Sequence, residues 1–464
     1  MEAAQKCPMN ESENIIKKID NSRELLSKIF KSSPVKRLKN SYHFRHEINC
    51  YNYIGSLIQE KGLIGKYKPI YRAPTLAGEM YFVTEPGIIK ALLKIPRLAK
   101  GELLSEGRQL RVIAEALGKY RLNNEKEDMK PKRSVLGDLL MDPEKYLKVM
   151  KTELEQLING WQQQKSPFII TKDVSEMTVA IFLKSVMNYE GEVAPIVPIL
   201  EEQIDLLGKR FSYRKCPQFN ERFIELRNEL MSYLFPAHQV QAKTESDYTK
   251  RLSGYINKHH KVYEEDAFAT GVNSGTLAGY LAPNPAFISC VYELGKHPDW
   301  ISQLREECNT KQKSNMVWET YVQAEDTLLN ACIHEVLRLY PSQPFLFRNV
   351  EHNFTVLDQY KLTKGSQIVI DLYHSLRDTS RWGEDAEDFN PHRFIQKPEL
   401  YKRPFLAYST GPNICTGQAF SKLSLRVFLN SLVTNLNWET LNTEVKPRFH
   451  FAMTLNQDIK ISVF

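Results

Sequence analysis

No apolar run in this chain approaches the roughly 18 residues needed to cross a bilayer. The opening segment, Met1 to Asn40, lacks the apolar stretch of a secretory leader, and Glu2, Glu11, Glu13, Asp20 and Glu24 argue against a transit peptide. Cysteine is scarce, with 7 in 464 residues, odd in number and with no C-x-x-C spacing. That argues against a disulfide framework and a finger-type zinc site, and it favours a reducing compartment. An excess of one charge is missing too: 62 Lys and Arg against 55 Asp and Glu leave +7, too little at this length to argue for nucleic acid. Internal repeats, low-complexity tracts and Gly/Ser linkers are absent. The expectation is a soluble cytoplasmic protein with no transmembrane anchor and no nucleic-acid partner, in which peripheral membrane contact stays open.

What is present is ordinary globular material, 42% hydrophobic and 25% charged. Residues 1–42 read as a loosely attached N-terminal arm with a solvated basic patch at Lys36, Arg37 and Lys39, and residues 43–464 as one domain. From Tyr67 to Leu93 the pattern is strand, turn at Ala77-Gly78, strand, then a helix opened by Thr84-Glu85-Pro86. Helical periodicity dominates from about Met129 to Leu339. Leu147, Met150, Leu154, Leu157 and Ile158 form one stripe, and Phe223, Leu226, Leu230 and Leu234 another. Phe345 to Asp371 is β-rich, with turns at Leu357-Asp358 and Lys364-Gly365, and the tail from Phe449 to Phe464 alternates like a closing hairpin. The fold class is therefore mostly α (α+β), a large helical domain with small β-sheets.

Pro404 to Leu429 carries the strongest chemical signal. Tyr408, Gly411, Asn413, Cys415 and Gly417 lie in a loop that runs directly into a helix. A cysteine before a helix N-terminus meets unpaired N–H groups and the positive end of the helix dipole, which favour thiolate. Such a thiolate can ligate a haem iron, and glycines let backbone approach a flat macrocycle. A lone cysteine is just as often a small buried hydrophobe, and both readings stand on this loop alone.

Upstream, Asp326 to Tyr340 reads as a helix stopped by Pro341, with Glu335 and Arg338 at i, i+3 on one face. Phe389-Asn390-Pro391-His392-Arg393-Phe394 adds a second arginine, so Glu335, Arg338 and Arg393 could close a buried triad. An E-x-x-R alone has almost no specificity. The ordered set of E-x-x-R helix, β segment, F-x-P-x-R-F loop and Gly-flanked cysteine, spread over roughly eighty residues, resembles the cytochrome P-450 superfamily of haem-thiolate enzymes. The resemblance runs from about Tyr67 to the C-terminus, with Leu277-Ala278-Gly279 through Pro298 similar to the family's long central helix.

The resemblance implies haem b (iron protoporphyrin IX) as cofactor and Cys415 as the axial ligand of its iron, with Glu335, Arg338 and Arg393 as structural triad. It also implies Arg133 and Arg348 against the propionates, and Tyr408, Gly411, Asn413 and Gly417 around the ligand. It further implies a monomer acting on a lipophilic small molecule, fed electrons by a ferredoxin- or flavodoxin-type partner. Ala278, Leu281, Ala282 and Phe345 would line the substrate pocket, with Met453 and Thr454 possible additions.

Several positions depart from the family. Tyr408 replaces Phe, Asn413 replaces the Arg or His that meets a propionate, and Met129 replaces Trp. The family's A-G-x-[D/E]-T supplies an acid and an alcohol for proton delivery; here the segment is Ala278-Gly279-Tyr280-Leu281-Ala282, and neither Leu281 nor Ala282 can carry a proton. Pro283 and Pro285 would each cost about 3 kcal/mol inside a helix, so a break or kink is expected there, with Asn284 a turn residue or a holder of water. No catalytic residue is assigned. Three readings follow: a monooxygenase that relays protons through water; a peroxygenase, or a peroxide isomerase or dehydratase, that needs no relay; and a catalytically silent haem- or ligand-binding protein.

Overall fold

The computed structural model describes residues 70–75, 78–95, 104–106, 135–137, 139–212, 217–235, 246–259, 265–396, 406–411, 414–449 and 451–464. The arm at residues 1–42, Met129, Arg133 and Asn413 lie outside these residues. Strands β1 (Ile70–Thr75) and β2 (Gly78–Val83) form the expected hairpin, and helix α1 (Pro86–Lys94) follows. Its N-cap is Glu85, whose carboxylate accepts from the Gly87 and Ile88 amides at 2.9 and 2.7 Å, and Pro86 fills the first position, where no N–H is needed.

After β3 (Leu104–Glu106) the chain becomes helical: α2 (Leu147–Gln163), strand β4 (Phe168–Ile169), α3 (Thr171–Met187), α4 (Ile196–Ser212), α5 (Pro217–Leu234) and α6 (Asp247–His259). Next come α7 (Glu265–Leu281), α8 (Pro283–Lys296), α9 (Pro298–Lys313) and α10 (Leu328–Leu339). Of the predicted stripes, Leu147, Met150, Leu154 and Ile158 are buried on α2, and Phe223, Leu226, Leu230 and Leu234 on α5; Leu157 is half-buried. Helix α3 is buried almost all round, because α2, α7 and α8 pack on it from different sides.

The β section holds β5 (Phe345–Val350), β6 (Phe354–Val356), β7 (Tyr360–Leu362) and β8 (Gln367–Asp371). The five-stranded sheet has the order β1-β2-β8-β5-β3, with β2 and β8 parallel and the other neighbours antiparallel. Both turns fall where the sequence marks them: Leu357 and Asp358 take φ of 50° and 53°, and Gly365 takes 85°. A long helix, α11 (Gln418–Asn435), then crosses the core, followed by β9 (Trp438–Thr440), β10 (Pro447–Phe449), β11 (Met453–Leu455) and β12 (Lys460–Val463).

The tail is not one closing hairpin. Strand β11 pairs back with β10, while β12 pairs with β9 and β4 in a separate three-stranded sheet. Both patterns alternate alike; the difference is which buried partner lies opposite, and Ile459 and Ile461 sink against the helical core. Among the described residues, no helix is long and apolar enough to cross a membrane.

Candidate functional site

Glu335 and Arg338 share the buried face of α10, and neither side chain is exposed. Arg338 grips both carboxylate oxygens, Nε to Oε2 at 2.7 Å and Nη2 to Oε1 at 2.9 Å. Its Nη1 donates to the carbonyls of Leu376 (2.8 Å) and Ala386 (2.6 Å). Arg393 closes the triad, Nε to Glu335 Oε1 at 2.9 Å, and reaches Asp385 Oδ2 at 3.0 Å and the Trp382 carbonyl at 2.8 Å. The Asn390 amide adds a further bond to Glu335 Oε1 at 2.8 Å. Ions buried this deeply are tolerated because nearly every donor is used. Burial still pushes the Arg338 pKa below the ordinary guanidinium value, although Glu335 opposes it. The network ties α10 to the segment at 376–393, upstream of the cysteine loop. Sequence reasoning missed Asp385, which stands eight residues before Arg393 in a segment with no distinguishing pattern.

The cysteine loop is held by its own backbone. The Cys415 amide donates to the Tyr408 carbonyl at 2.9 Å, and the Ile414 amide to the Gly411 carbonyl at 3.1 Å. Gly411 has φ of 73°, and a Cβ there would stand 2.6 Å from the Leu93 carbonyl oxygen, so only glycine fits. Gly417 differs: it caps α11 at φ −88°, and an added Cβ would meet only ordinary contacts, one of them Cys415 Sγ at 3.9 Å. Its missing side chain leaves space beside the sulfur rather than permitting a turn. The Tyr408 ring is buried and its hydroxyl lies 3.2 Å from Ser421 Oγ on α11, the partner that the exchange from Phe requires. Cys290, Cys308 and Cys332 are buried, whereas Cys415 is exposed.

Central helices α7 and α8 are interrupted at Ala282 alone, which keeps right-handed helical angles (φ −96°, ψ −41°). The expected break is thus a one-residue join. Pro283 and Pro285 occupy the first turn of α8, where the amide has no helical partner to lose, so their cost is far below that of interior prolines. The Ala282 carbonyl accepts from Ser342 Oγ at 2.6 Å. Gly279 lies against the Phe182 ring of α3, where a Cβ would come within 2.3 Å. Phe182 meets Phe420 of α11 edge-on at 6.4 Å. Two contacts therefore connect the central helix to the first turn of the helix behind Cys415.

Ala278 is exposed in the middle of this core helix, with Ser274, Leu281 and Ala282 only half-buried along the same side. Asn284 points the other way: its Nδ2 donates to Ser175 Oγ (3.1 Å) and Tyr280 Oη (3.2 Å), and Thr178 Oγ1 lies 3.4 Å from its Oδ1. The Tyr280 hydroxyl in turn donates to Glu201 Oε1 at 3.1 Å, and burial raises its pKa, with Glu201 adding to the rise. This cluster was missed from sequence, since tyrosine and asparagine at i, i+4 look like surface.

Arg348 sits buried on β5 opposite Ile368, with Nη1 donating to the Phe347 carbonyl at 2.7 Å. Phe345 is fully buried and its ring lies 5.7 Å from Phe449. A cavity of about 480 Å³ is lined by Leu281 and Thr454 among others, but Ala278, Ala282 and Phe345 do not line it.

A family model for cytochrome P450 matches residues 59–463. The chain belongs to the cytochrome P450 family. Among curated relatives it is similar to alkane hydroxylase MAH1 of Arabidopsis thaliana, 29% identical over 236 residues (48% of this chain, 46% of the relative). It is likewise similar to cytochrome P450 71A20 of the same plant, 31% over 246 residues (52% and 46%). A third is probable cytochrome P450 6d4 of Drosophila melanogaster, 24% over 238 residues (49% and 45%). These alignments span about half the length of each relative. Haem is the cytochrome P450 cofactor, and the residues present fit such a group. One exposed cysteine lies beside a glycine-made space, the central helix joined to it through Phe182 and Phe420 bares Ala278, and a guanidinium is buried at Arg348.

Proposed function

We propose that the chain is a haem-thiolate monooxygenase that hydroxylates a lipophilic small molecule, with Cys415 as the axial iron ligand. The observation that carries this reading is the exposed Cys415, held by the Tyr408 carbonyl in front of α11. Bound there, iron protoporphyrin IX (haem b) would supply the oxidising chemistry, with thiolate donation favouring O–O cleavage. The chain's own residues bind and orient. Gly411 and Gly417 clear the loop, Arg348 offers a cation for a propionate, and Arg133 is proposed as a second. The triad of Glu335, Arg338 and Arg393 holds the segment leading to the loop. The open side of α7 around Ala278 and Leu281 forms an apolar wall suited to a lipophilic substrate. A monomer in the cytoplasm, served by a ferredoxin- or flavodoxin-type electron donor, completes the proposal.

A second reading has one observation in its favour. Leu281 and Ala282 hold no proton, and Asn284 is turned toward α3. That suits a peroxygenase, or an isomerase or dehydratase of lipid peroxides, which needs no acid–alcohol relay. Turnover of a fatty-acid and hydrocarbon panel separates the two. The monooxygenase reading expects product only with NAD(P)H and a redox partner. Product formed from hydrogen peroxide or a lipid peroxide without any reductase would overturn it in favour of the second. A haem protein inert under both regimes would be a silent ligand carrier.

A further inference from the structure

Helix α11, which begins beside Cys415, carries a buried cation whose hydrogen-bond partner is neutral. Arg426 is exposed by only 6%. Its Nη1 donates to Asn330 Oδ1 at 3.2 Å, its Nε has no acceptor, and among the described residues it forms no ion pair. Asn330 is an amide in the first turn of α10, the end at which a helix dipole is itself positive. Lys422, one turn earlier on the same side of α11, is also mostly covered. The carboxylate near Lys422 is Glu325, 3.8 Å away and well exposed to solvent. His334, buried beside both cations, is kept neutral by burial and by their charges.

Burying a guanidinium without a carboxylate is unfavourable for folding, so packing does not account for this residue. Its field, however, reaches the cysteine loop. Tyr408, whose carbonyl holds the Cys415 amide, has its ring centre 5.9 Å from Lys422 Nζ and its hydroxyl 3.2 Å from Ser421 Oγ. From Gln418, the first residue of α11, to Arg426 the helix rises about 12 Å. At an effective dielectric of about 20, unit charges roughly that far apart shift an equilibrium about tenfold, and burial limits the screening by salt.

We propose that Arg426, assisted by Lys422, is a fixed charge that raises the reduction potential of an iron bound at Cys415. The proposal deepens the haem-thiolate reading and rests on it. Reduction adds one electron, taken from the redox partner or from dithionite in a titration, and makes or breaks no bond in the chain. The site becomes more negative by one charge, and a cation buried nearby favours that state. Arg426 bonds to Asn330 rather than to the sulfur, so it acts through its field and is not a catalytic residue.

A potentiometric titration of the full-length, haem-loaded protein with dithionite and mediator dyes, followed at the Soret band, tests this. Arg426→Met should lower the equilibrium constant for reduction about three- to tenfold, tenfold being about 59 mV for one electron. That shift should persist at about 0.5 M salt, because the charge is buried. Arg426→Lys keeps the charge and should stay within about twofold of wild type. Asn330→Ala removes the hydrogen bond but not the cation, so it should lower stability while staying within the same limit. Should Arg426→Met fail to fold, Lys422→Met, at a partly exposed position, should give the same sign at about threefold. A thiolate-type spectrum whose potential does not move in either methionine variant, or a fall as large in Arg426→Lys or Asn330→Ala, would overturn this proposal alone. A reduced protein without the carbon monoxide signature of a thiolate would instead overturn the haem-thiolate reading, and this proposal with it.

Discussion

Under the proposed reading, Leu281 and Ala282 stand where a cytochrome P450 central helix carries its acid and alcohol, and the neighbouring polar side chains are engaged with one another. Asn284, Tyr280 and Ser175 bond to one another on the side facing α3 and α4. Restoring the pair, Leu281→Asp with Ala282→Thr, is expected to raise the fraction of reducing equivalents that end in product rather than in released peroxide. Product and peroxide assayed against NAD(P)H consumed give that fraction directly, and an unchanged ratio would count against the proton-delivery argument. The roles of single residues were unevenly legible. Gly411 could be read from its place before a cysteine, and its positive φ bears that out. The orientation of Asn284 could not be read, because it depends on a serine 109 positions away in the chain.

At the scale of elements, the join between α10 and the segment before the cysteine loop rests on one carboxylate serving two guanidiniums and an amide. Glu335→Gln leaves the shape nearly unchanged but strands the buried Arg338 and leaves Arg393 with Asp385 alone, and should cost about 3–5 kcal/mol. Urea unfolding of the haem-loaded protein measures this; a loss below about 0.5 kcal/mol, the range of ordinary surface changes, would show that the triad is dispensable. The triad was legible as spacing, i and i+3 plus a proline-fixed arginine. The prolines of the central helix misled for an identifiable reason: a Pro-x-Pro inside a periodic run looks like an interior break. It reads differently once Pro283 is seen at the first position of a new helix, joined to the previous one through a residue with right-handed helical angles. The tail misled because alternation states which face is buried, not which strand lies alongside.

Across the whole molecule, burial also sets a pH dependence. His334 is almost fully enclosed, its Nδ1 2.8 Å from the Asn330 carbonyl and its ring 5.4 Å from Phe394. Burial drives its pKa down from 6.5 to about 3, and the nearby charges of Lys422 and Arg426 push the same way. The unfolded chain therefore binds a proton that the folded one refuses between these values. Stability is intact above about 6.5 and is lost progressively as the pH falls toward about 3. Replacing the imidazole in His334→Leu should reduce the slope of unfolding free energy against pH by about one proton in that window. Denaturant titrations at pH values across the window provide the check, and parallel slopes for both proteins would refute it.

The central claim concerns the sulfur of Cys415, and the spectrum of the reduced protein under carbon monoxide tests it most directly. The haem-reconstituted wild type is expected to show the red-shifted Soret band of a thiolate-ligated iron, and Cys415→Ala is expected to lose it. A wild-type protein that takes up no haem, or a variant that keeps the thiolate signature, would contradict the account.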